Sequence, residues 1–424
     1  MTDNNGSRTG VPTRRQYLKY GGAVVTGGVL AGCSSSGGEQ TSGNTSTEGT
    51  SSTDETSGTS ETSKTTDQGG EDGPYSVTMS PVGEVEFESV PENVMIYSLL
   101  YADAAVAYGH GDAVNSLGFD SEAGGNTLDA YYERLDGVSF DRDGLTQLNS
   151  GTGGVNIDKE LFYKLDSDLH MIDPALVVSF KGWEKSDIEE IRKNVAPWFG
   201  NNYSRRNSQP PKAYRDDYQY YTLWEIAEKV AAVFREEDRH AKLASVHDDL
   251  IDRIQSNLPP EDERPTVGSV IFMDGKFYPG KINTEGFANA HIRPLGATDA
   301  FTDSNVTYQT TYDYETMLKV DPDIILERYG IASYYDVEKI RTQMGNDPVG
   351  SKLTAVKNDA VYPSGNPVQG PLMNLFQLEM TAKQLYPEQF GEWPGYTNGD
   401  PYPEIPAGRT TVRPGPGIGH RHGR

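Results

Sequence analysis

The chain has 424 residues, 62 Asp and Glu against 37 Lys and Arg, a net charge of −25 and one cysteine. Such a surface repels phosphate backbones, which excludes a general nucleic-acid binder. One cysteine excludes an internal disulfide framework and a cysteine-cluster metal site. The length exceeds one typical core and asks for two lobes, and an acidic excess spread through every segment suits brine, where salt screens self-repulsion.

Residues 1–33 read as an address rather than as fold. Arg14-Arg15 precede a short, glycine-diluted apolar run over 21–32, which resembles a twin-arginine export signal. The run ends Leu30-Ala31-Gly32-Cys33, like a lipobox whose cleavage leaves a lipidated Cys33 at the new N-terminus. No stretch reaches the roughly 18 apolar residues of a spanning helix, so the expectation is a lipid anchor on the outer face of the membrane. Residues 34–74 are Ser, Thr, Gly, Glu and Asp, too polar to bury a core, and read as a disordered tether.

Residues 75–221 alternate apolar runs with helical spacing and form a first α/β lobe. Val94-Met95-Ile96-Tyr97 reads as a buried strand, residues 102–108 as a small-residue helix, and Leu169-His170-Met171-Ile172 as a strand stopped by Asp173-Pro174. Residues 222–258 carry apolar side chains at steps of three and four and read as a long helix between lobes, with a charged cluster at 235–238 where it could break. Residues 259–390 repeat the strand–helix order as a second lobe, with strands at 267–273, 323–326 and 359–362, a helix and turn at 286–296, and a helix at 372–386 ended by Pro387. Residues 391–424 have no apolar periodicity and read as a polar tail. The fold class is α/β: two lobes with mainly parallel sheets, a long interlobe helix and a ligand cleft between the lobes. A ten-residue similarity links them, Glu160-Leu-Phe-Tyr-Lys-Leu-Asp-Ser-Asp-Leu169 with Glu315-Thr-Met-Leu-Lys-Val-Asp-Pro-Asp-Ile324.

This order of parts resembles the solute-binding lipoproteins of ABC importers, in the group that captures ferric siderophores, haem and cobalamin, here of haloarchaeal type. The resemblance covers about residues 80–390. It rests on the opening strand after Pro91, on Asp168-Leu169-His170-Met171-Ile172, on Val320-Asp321-Pro322-Asp323-Ile324-Ile325-Leu326, on Asn358-Asp359-Ala360-Val361-Tyr362, and on the closing helix from Gly370-Pro371 to Leu385-Tyr386-Pro387. It departs from the family at Ser167, where proline is usual. It implies a monomer that binds an iron chelate, haem or cobalamin without an intrinsic cofactor and delivers it to a permease and its ATPase. It also implies that Glu160 and Glu315, one per lobe, dock into arginine pockets of the permease.

Ligands of open α/β sheets sit beyond the strand ends, and pockets for large chelates are aromatic with a few fixed polar groups. On those grounds the ligand-binding candidates are Tyr97, Tyr101, Phe180 and Trp183 from the first lobe and Tyr278, Arg328 and Tyr329 from the second. Arg205, Arg206, His291 and Arg293 are secondary candidates. Arginine suits carboxylate or phosphate because its fork donates two parallel hydrogen bonds. Three other readings compete. A bare-metal receptor needs several converging histidines and carboxylates, and His240 and His247 on one helix face lack a third partner in the sequence. A hydrolase needs a nucleophile elbow, Walker loop or His-Glu-x-x-His, and none is present. A cell-surface adhesion protein would show no stabilisation by a small molecule. The reading is therefore a binding protein and not an enzyme.

Overall fold

The computed structural model describes residues 73–119, 126–149, 155–302, 305–307 and 309–405. Arg14, Arg15, Cys33, the tether and the tail beyond residue 405 lie outside the described residues. Among these residues no helix is long and apolar enough to cross a membrane.

The described chain opens with an antiparallel hairpin, β1 (Tyr75–Met79) and β2 (Gly83–Phe87), whose Val77, Met79, Val85 and Phe87 point inward in strict alternation. The first lobe follows. β3 (Val94–Ile96) leads into α1 (Leu99–Ala107), whose first turn is capped by the Ser98 hydroxyl. Then come β4 (Ser116–Leu117), the short α2 (Asp129–Tyr132), β5 (Thr146–Gln147), α3 (Lys159–Leu165), β6 (Leu169–Met171), α4 (Pro174–Val178) and α5 (Lys185–Asn194). β3 pairs in parallel with β6, and β4 with β5. A parallel bridge from Val94 to Val114 joins the two ladders, and Trp198 extends the sheet beside His170. Val94, Met95 and Ile96 are all fully buried, as a parallel strand covered on both faces requires.

The connector is two helices, α6 (Leu223–Val233) and α7 (Glu237–Asn257), so the long helix expected over 222–258 is interrupted. The break falls at the expected charged cluster. The Arg235 N–H donates to the Ala232 carbonyl, the Glu236 N–H reaches the Ala231 carbonyl, and Arg235 takes φ 55°. That is a Schellman stop with arginine where glycine is usual. The Arg235 guanidinium holds the site together by lying 4.2 Å over the Tyr75 ring and donating to the Gly73 carbonyl. α7 then crosses between cores: Leu243 packs in the first lobe's cluster, Leu250 and Ile254 in the second's.

The second lobe is a five-stranded sheet in the order β11-β10-β7-β8, with β9 also on β7. Its strands are β7 (Thr266–Met273), β8 (Lys276–Gly280), β9 (Thr298–Asp299), β10 (Ile324–Glu327) and β11 (Val361–Pro363). β7 and β8 form a tight hairpin through Asp274 (φ 50°) and Gly275 (φ 74°), the residues a two-residue primed turn favours. The other pairs are parallel. The helices are α8 (Tyr314–Val320), α9 (Val337–Asn346), α10 (Thr354–Lys357), α11 (Pro371–Leu385) and α12 (Pro387–Phe390). The helix expected within 286–296 is instead two single 3-10 turns, Phe287–Asn289 and Arg293–Leu295.

The ten-residue similarity is one structural device used twice. Asp158 and Asp313 cap the starts of α3 and α8. Asp166 (φ 46°) and Asp321 (φ 42°) end them in the left-handed region. Asp168 and Asp323 then accept backbone N–H groups at the start of the neighbouring strand, from Glu92 and Asn93 in one lobe and Thr266 in the other.

α11 joins the lobes a second time. Leu372, Met373 and Met380 pack in the first lobe's core, while Leu378, Ala382 and Leu385 pack in the second's. Its first turn donates from Leu372 N (2.9 Å) and Met373 N (3.2 Å) to the buried Asp103 carboxylate of α1. Burial pushes Asp103 up to about 7, against those bonds and one from the Tyr132 hydroxyl. The stretch expected as a polar tail from residue 391 is docked as far as it is described. Tyr402 is 1% exposed, among Tyr131, Phe376 and Trp393.

Candidate functional site: an interlobe cleft with arginines on both walls

The C-terminal ends of the two sheets face one another across a cleft. Tyr97 and Tyr101, just past β3, stand on the first wall. The Tyr97 hydroxyl donates to Asn149 Oδ1 (3.2 Å), and the Tyr101 hydroxyl accepts the Asn201 N–H (2.6 Å). Burial raises both phenols well above their ordinary range, so they act as neutral hydrogen-bonding groups. Asp173 closes this wall as the cap of α4. Its carboxylate accepts from Ala175 N (2.7 Å), Asn202 N (2.7 Å) and the Tyr218 hydroxyl (2.6 Å), and burial pushes it up to about 6.

These groups, with Ser98, Asn201, Asn202 and Arg205, meet Phe287 and Val368 of the second lobe around a cavity of about 10 Å³, room for about one water. The lobes are therefore shut. Asn207 Nδ2 donates across to Glu285 Oε2 (3.0 Å). Beside it Gly286 (φ 94°) lies so near the first lobe that a Cβ there would sit 2.5 Å from the Arg205 carbonyl oxygen. A wider groove of about 280 Å³ lies off the cleft, between α5 and the 212–217 loop. Its Lys185, Arg192 and Lys212 are matched by Glu189, Asp216 and Asp217, so it offers no net charge to a ligand.

Positive charge gathers at the cleft of a chain that carries −25. Arg205 is 4% exposed. Burial, and then the neighbouring Arg206, bring it down to about 10, so it stays charged at neutral pH. Arg328, past the end of β10, is lowered by burial, with Arg206 of the opposite lobe among the charges that act on it. Its Nη2 donates to the Tyr278 carbonyl (2.6 Å), and its buried Nε has no partner among the described residues. Tyr329, which interacts with both Arg205 and Arg328, sits at φ 64°. A bulky side chain in the left-handed region is strained, and such strain concentrates at ligand clamps. Glu327 beside it is fully buried, pushed up to about 7 by burial, and bonded to Phe272 N (3.0 Å) and the Tyr335 hydroxyl (2.7 Å).

The structure thus brings together Tyr97, Tyr101, Arg205, Arg206, Arg328 and Tyr329, with the half-buried Tyr278 contributing its carbonyl. It corrects the rest. Phe180 and Trp183 are core residues. Trp183 Nε1 donates to the Ile157 carbonyl (2.9 Å), its ring meets Phe162, and Phe180 backs the Tyr97 ring. The reason is local: Val177-Val178 end a helix, not a strand, because Asp173 caps it and Pro174 occupies its first turn. His291 is 2% exposed and is pushed down to about 3 by burial, so it is neutral. It accepts or donates within a sealed network around Gln369, which also reaches the Phe287 carbonyl (3.1 Å) and Asn374 (2.9 Å). Arg293 is exposed and braces the loop, donating to the carbonyls of Thr284 (2.7 Å) and Gly286 (2.8 Å). Ser98, Asp173, Asn201, Asn202, Phe287 and Val368 were not legible as site residues. The readable signals were the caps, Ser98 and Asp173-Pro174, each placed directly after a strand.

Residues 168–366 match the family model described as "Periplasmic binding protein". No curated protein matches the sequence. Solved structures share the fold at low identity. The iron uptake ABC transporter substrate-binding protein PiuA from Streptococcus pneumoniae has 15% identity and a TM-score of 0.50, over 73% of this chain and 97% of that one. A periplasmic binding protein from Veillonella parvula has 14% identity and a TM-score of 0.52, over 74% and 91%. The petrobactin-binding protein YclQ from Bacillus subtilis has 17% identity and a TM-score of 0.50, over 74% and 99%. Fold and family match agree: the chain has the α/β periplasmic-binding-protein architecture with mainly parallel sheets.

Proposed function

We propose that this chain is the capture protein of an ABC importer and that its cleft takes an anionic ferric chelate, a siderophore bearing carboxylate or catecholate groups, or haem through its propionates. The observation that carries this is the meeting of Arg205 and Arg206 from one lobe with Arg328 from the other, beside a strained Tyr329, in so acidic a chain. Guanidinium forks bind oxyanions in pairs, and closing a low-dielectric cleft over them strengthens each contact. Solved structures titled for iron uptake and petrobactin binding share the fold and support the ligand class. Cobalamin, whose one anionic group is its phosphodiester, uses this wall less well. A bare-metal ligand is the second reading; among the described residues no three His, Cys, Asp or Glu side chains group to hold an ion. Twin-arginine export and a lipid on Cys33 complete the reading as an outward-facing, tethered receptor.

The test is thermal stability of the purified protein in high salt with ferric siderophores, haem, cobalamin, and free Zn²⁺, Mn²⁺ and Fe³⁺. A ligand at 100 times its dissociation constant adds about 2.7 kcal/mol. A rise in Tm with anionic chelates is expected. A rise with free metal alone overturns the reading.

Glu160 and Glu315 fit permease docking. Both are exposed in the first turns of α3 and α8, one on each lobe. Each helix runs back along the strand that follows it, which puts its first turn towards the cleft-facing ends of the sheet. The pair Glu160→Ala and Glu315→Ala is expected to abolish uptake while leaving chelate affinity unchanged. Normal uptake by the double variant removes the docking role.

A further inference from the structure

Residues 200–221 carry Arg205 to the cleft and join no strand of either sheet. Their regular structure is two single 3-10 turns, Tyr203–Arg205 and Lys212–Tyr214. Backbone outside a ladder needs side chains to meet its donors and acceptors. The two ends of this segment are laced together in that way. Asn201 Nδ2 donates to the Ser80 and Gln219 carbonyls (both 2.9 Å), and the Gln219 N–H reaches Ser80 Oγ (2.8 Å). The Tyr221 N–H reaches the buried Ser204 Oγ (2.8 Å).

Tyr218 stands in the middle of this lacing. Its hydroxyl accepts the N–H groups of Asn202 (3.1 Å) and Tyr203 (3.0 Å) and donates to Asp173 Oδ2 (2.6 Å). Those two N–H groups open the Tyr203–Arg205 turn, where a helical start leaves donors without carbonyl partners. Asp173 Oδ2 takes the Asn202 N–H as well (2.7 Å). Burial raises Asp173 only to about 6, so at neutral pH it is a carboxylate and accepts. The phenol therefore donates to it and turns its acceptor side to the turn. Asp173 follows β6 directly, so the end of the sheet anchors the turn through the phenol.

Arg205 ends the same turn. Its side chain lines the cavity, and its carbonyl oxygen is the one that a Cβ on Gly286 of the second lobe would meet at 2.5 Å. The Arg205 guanidinium has interactions of its own; the lacing acts on the backbone that carries it. Tyr218 is not among the residues around the cavity, so it reaches a ligand only through the turn.

We propose that Tyr218, oriented by Asp173, is a positioning residue: it holds the start of the Tyr203–Arg205 turn against the end of β6 and so sets where Arg205 meets a ligand. The effect on a ligand rests on the reading of the cleft as an anion site; the hold on the turn does not.

The test is a double-mutant cycle on the purified full chain in high salt, with Tyr218→Phe and Arg205→Gln singly and together, titrated with a ferric tricatecholate. Tyr218→Phe removes one oxygen and leaves the ring in its packing beside Tyr203 and Ala175. It is expected to lower affinity about tenfold in the parent and less than about twofold in the Arg205→Gln background, because the two changes then act through one group. Equal losses in both backgrounds mark a hydroxyl that supports the whole lobe and overturn the proposal, as does no loss in the parent. Amide hydrogen exchange reads the hold without any ligand. Tyr218→Phe is expected to speed exchange about tenfold at Tyr203, whose N–H loses its acceptor, and to leave α1 unchanged. Unchanged exchange at Tyr203 overturns the hold. Failure of the tricatecholate to bind the parent would strike the reading of the cleft and leave the exchange result to judge the hold alone.

Discussion

Arg328→Ala is expected to lower affinity for an anionic ferric chelate by about 30- to 4,000-fold, since truncating a desolvated charged partner costs about 2–5 kcal/mol and each 1.4 kcal/mol is tenfold. Arg328 is the residue to change first. It is half-buried, its Nη2 is spent on the Tyr278 carbonyl, and its buried Nε lacks a partner in the closed structure. Donor capacity is therefore available to a ligand. Removing the side chain also relieves repulsion with Arg206. The variant loses one hydrogen bond, to the Tyr278 carbonyl, and should consequently keep its fold, with an unfolding free energy within about 1–2 kcal/mol of the parent. Arg328→Lys keeps the charge and loses the fork, so it should recover part of the affinity and not all of it. Titration calorimetry of the three proteins checks this. Equal affinity in Arg328→Ala and the parent would remove the second lobe's arginine from the site.

Gly286→Ala is expected to prop the cleft open. Two costs meet at this residue. Its φ of 94° lies where an L side chain is strained, a penalty of about 1–3 kcal/mol. The added Cβ would also fall 2.5 Å from the Arg205 carbonyl oxygen and 2.8 Å from the Arg206 Cα. Those neighbours are backbone of the opposite lobe, so no rotamer change relieves the clash. Separation of the lobes does. Arg293 also holds the Gly286 carbonyl, so the loop itself has little freedom to retreat. The expected result is a larger radius of gyration by solution scattering and affinity reduced by more than about tenfold, as a ligand that must close the lobes first has to shift that equilibrium. The cores of the two lobes lie away from this contact and should keep most of their stability. An unchanged radius together with unchanged affinity would show that the closed contact at Gly286 plays no part in binding.

Much of this architecture is legible in the sequence, for identifiable reasons. Buried parallel strands such as Val94-Met95-Ile96 and Ile324-Ile325-Leu326 are unbroken apolar runs. The Glu160 and Glu315 segments match because both lobes need the same acidic cap, left-handed stop and strand-edge acceptor. Other features depend on contacts distant in sequence. The stop between α6 and α7 uses Arg235 in a glycine's role, made tolerable by Tyr75 and Gly73. Tyr402 is buried by aromatic partners from three separate segments and leaves no periodic trace. Among the candidate site residues, those directly after strands reached the cleft, as Tyr97, Tyr101, Arg328 and Tyr329 did. Phe180 and Trp183 follow a short helix that turns them back into the lobe. His291 was drawn in by its chemistry alone and is sealed by Gln369. Arg205, ranked second from sequence, lines the cleft with Arg206 beside it because the loop after Trp198 returns it there.

The most direct measurement is titration of the purified protein with two ferric chelates of similar size and opposite charge, a tricatecholate and a cationic trihydroxamate, at two salt concentrations. An arginine-walled cleft predicts tight binding of the anionic chelate, weakened by salt, and at least 100-fold weaker binding of the cationic one. Equal binding of both, or preference for the cation, would contradict it.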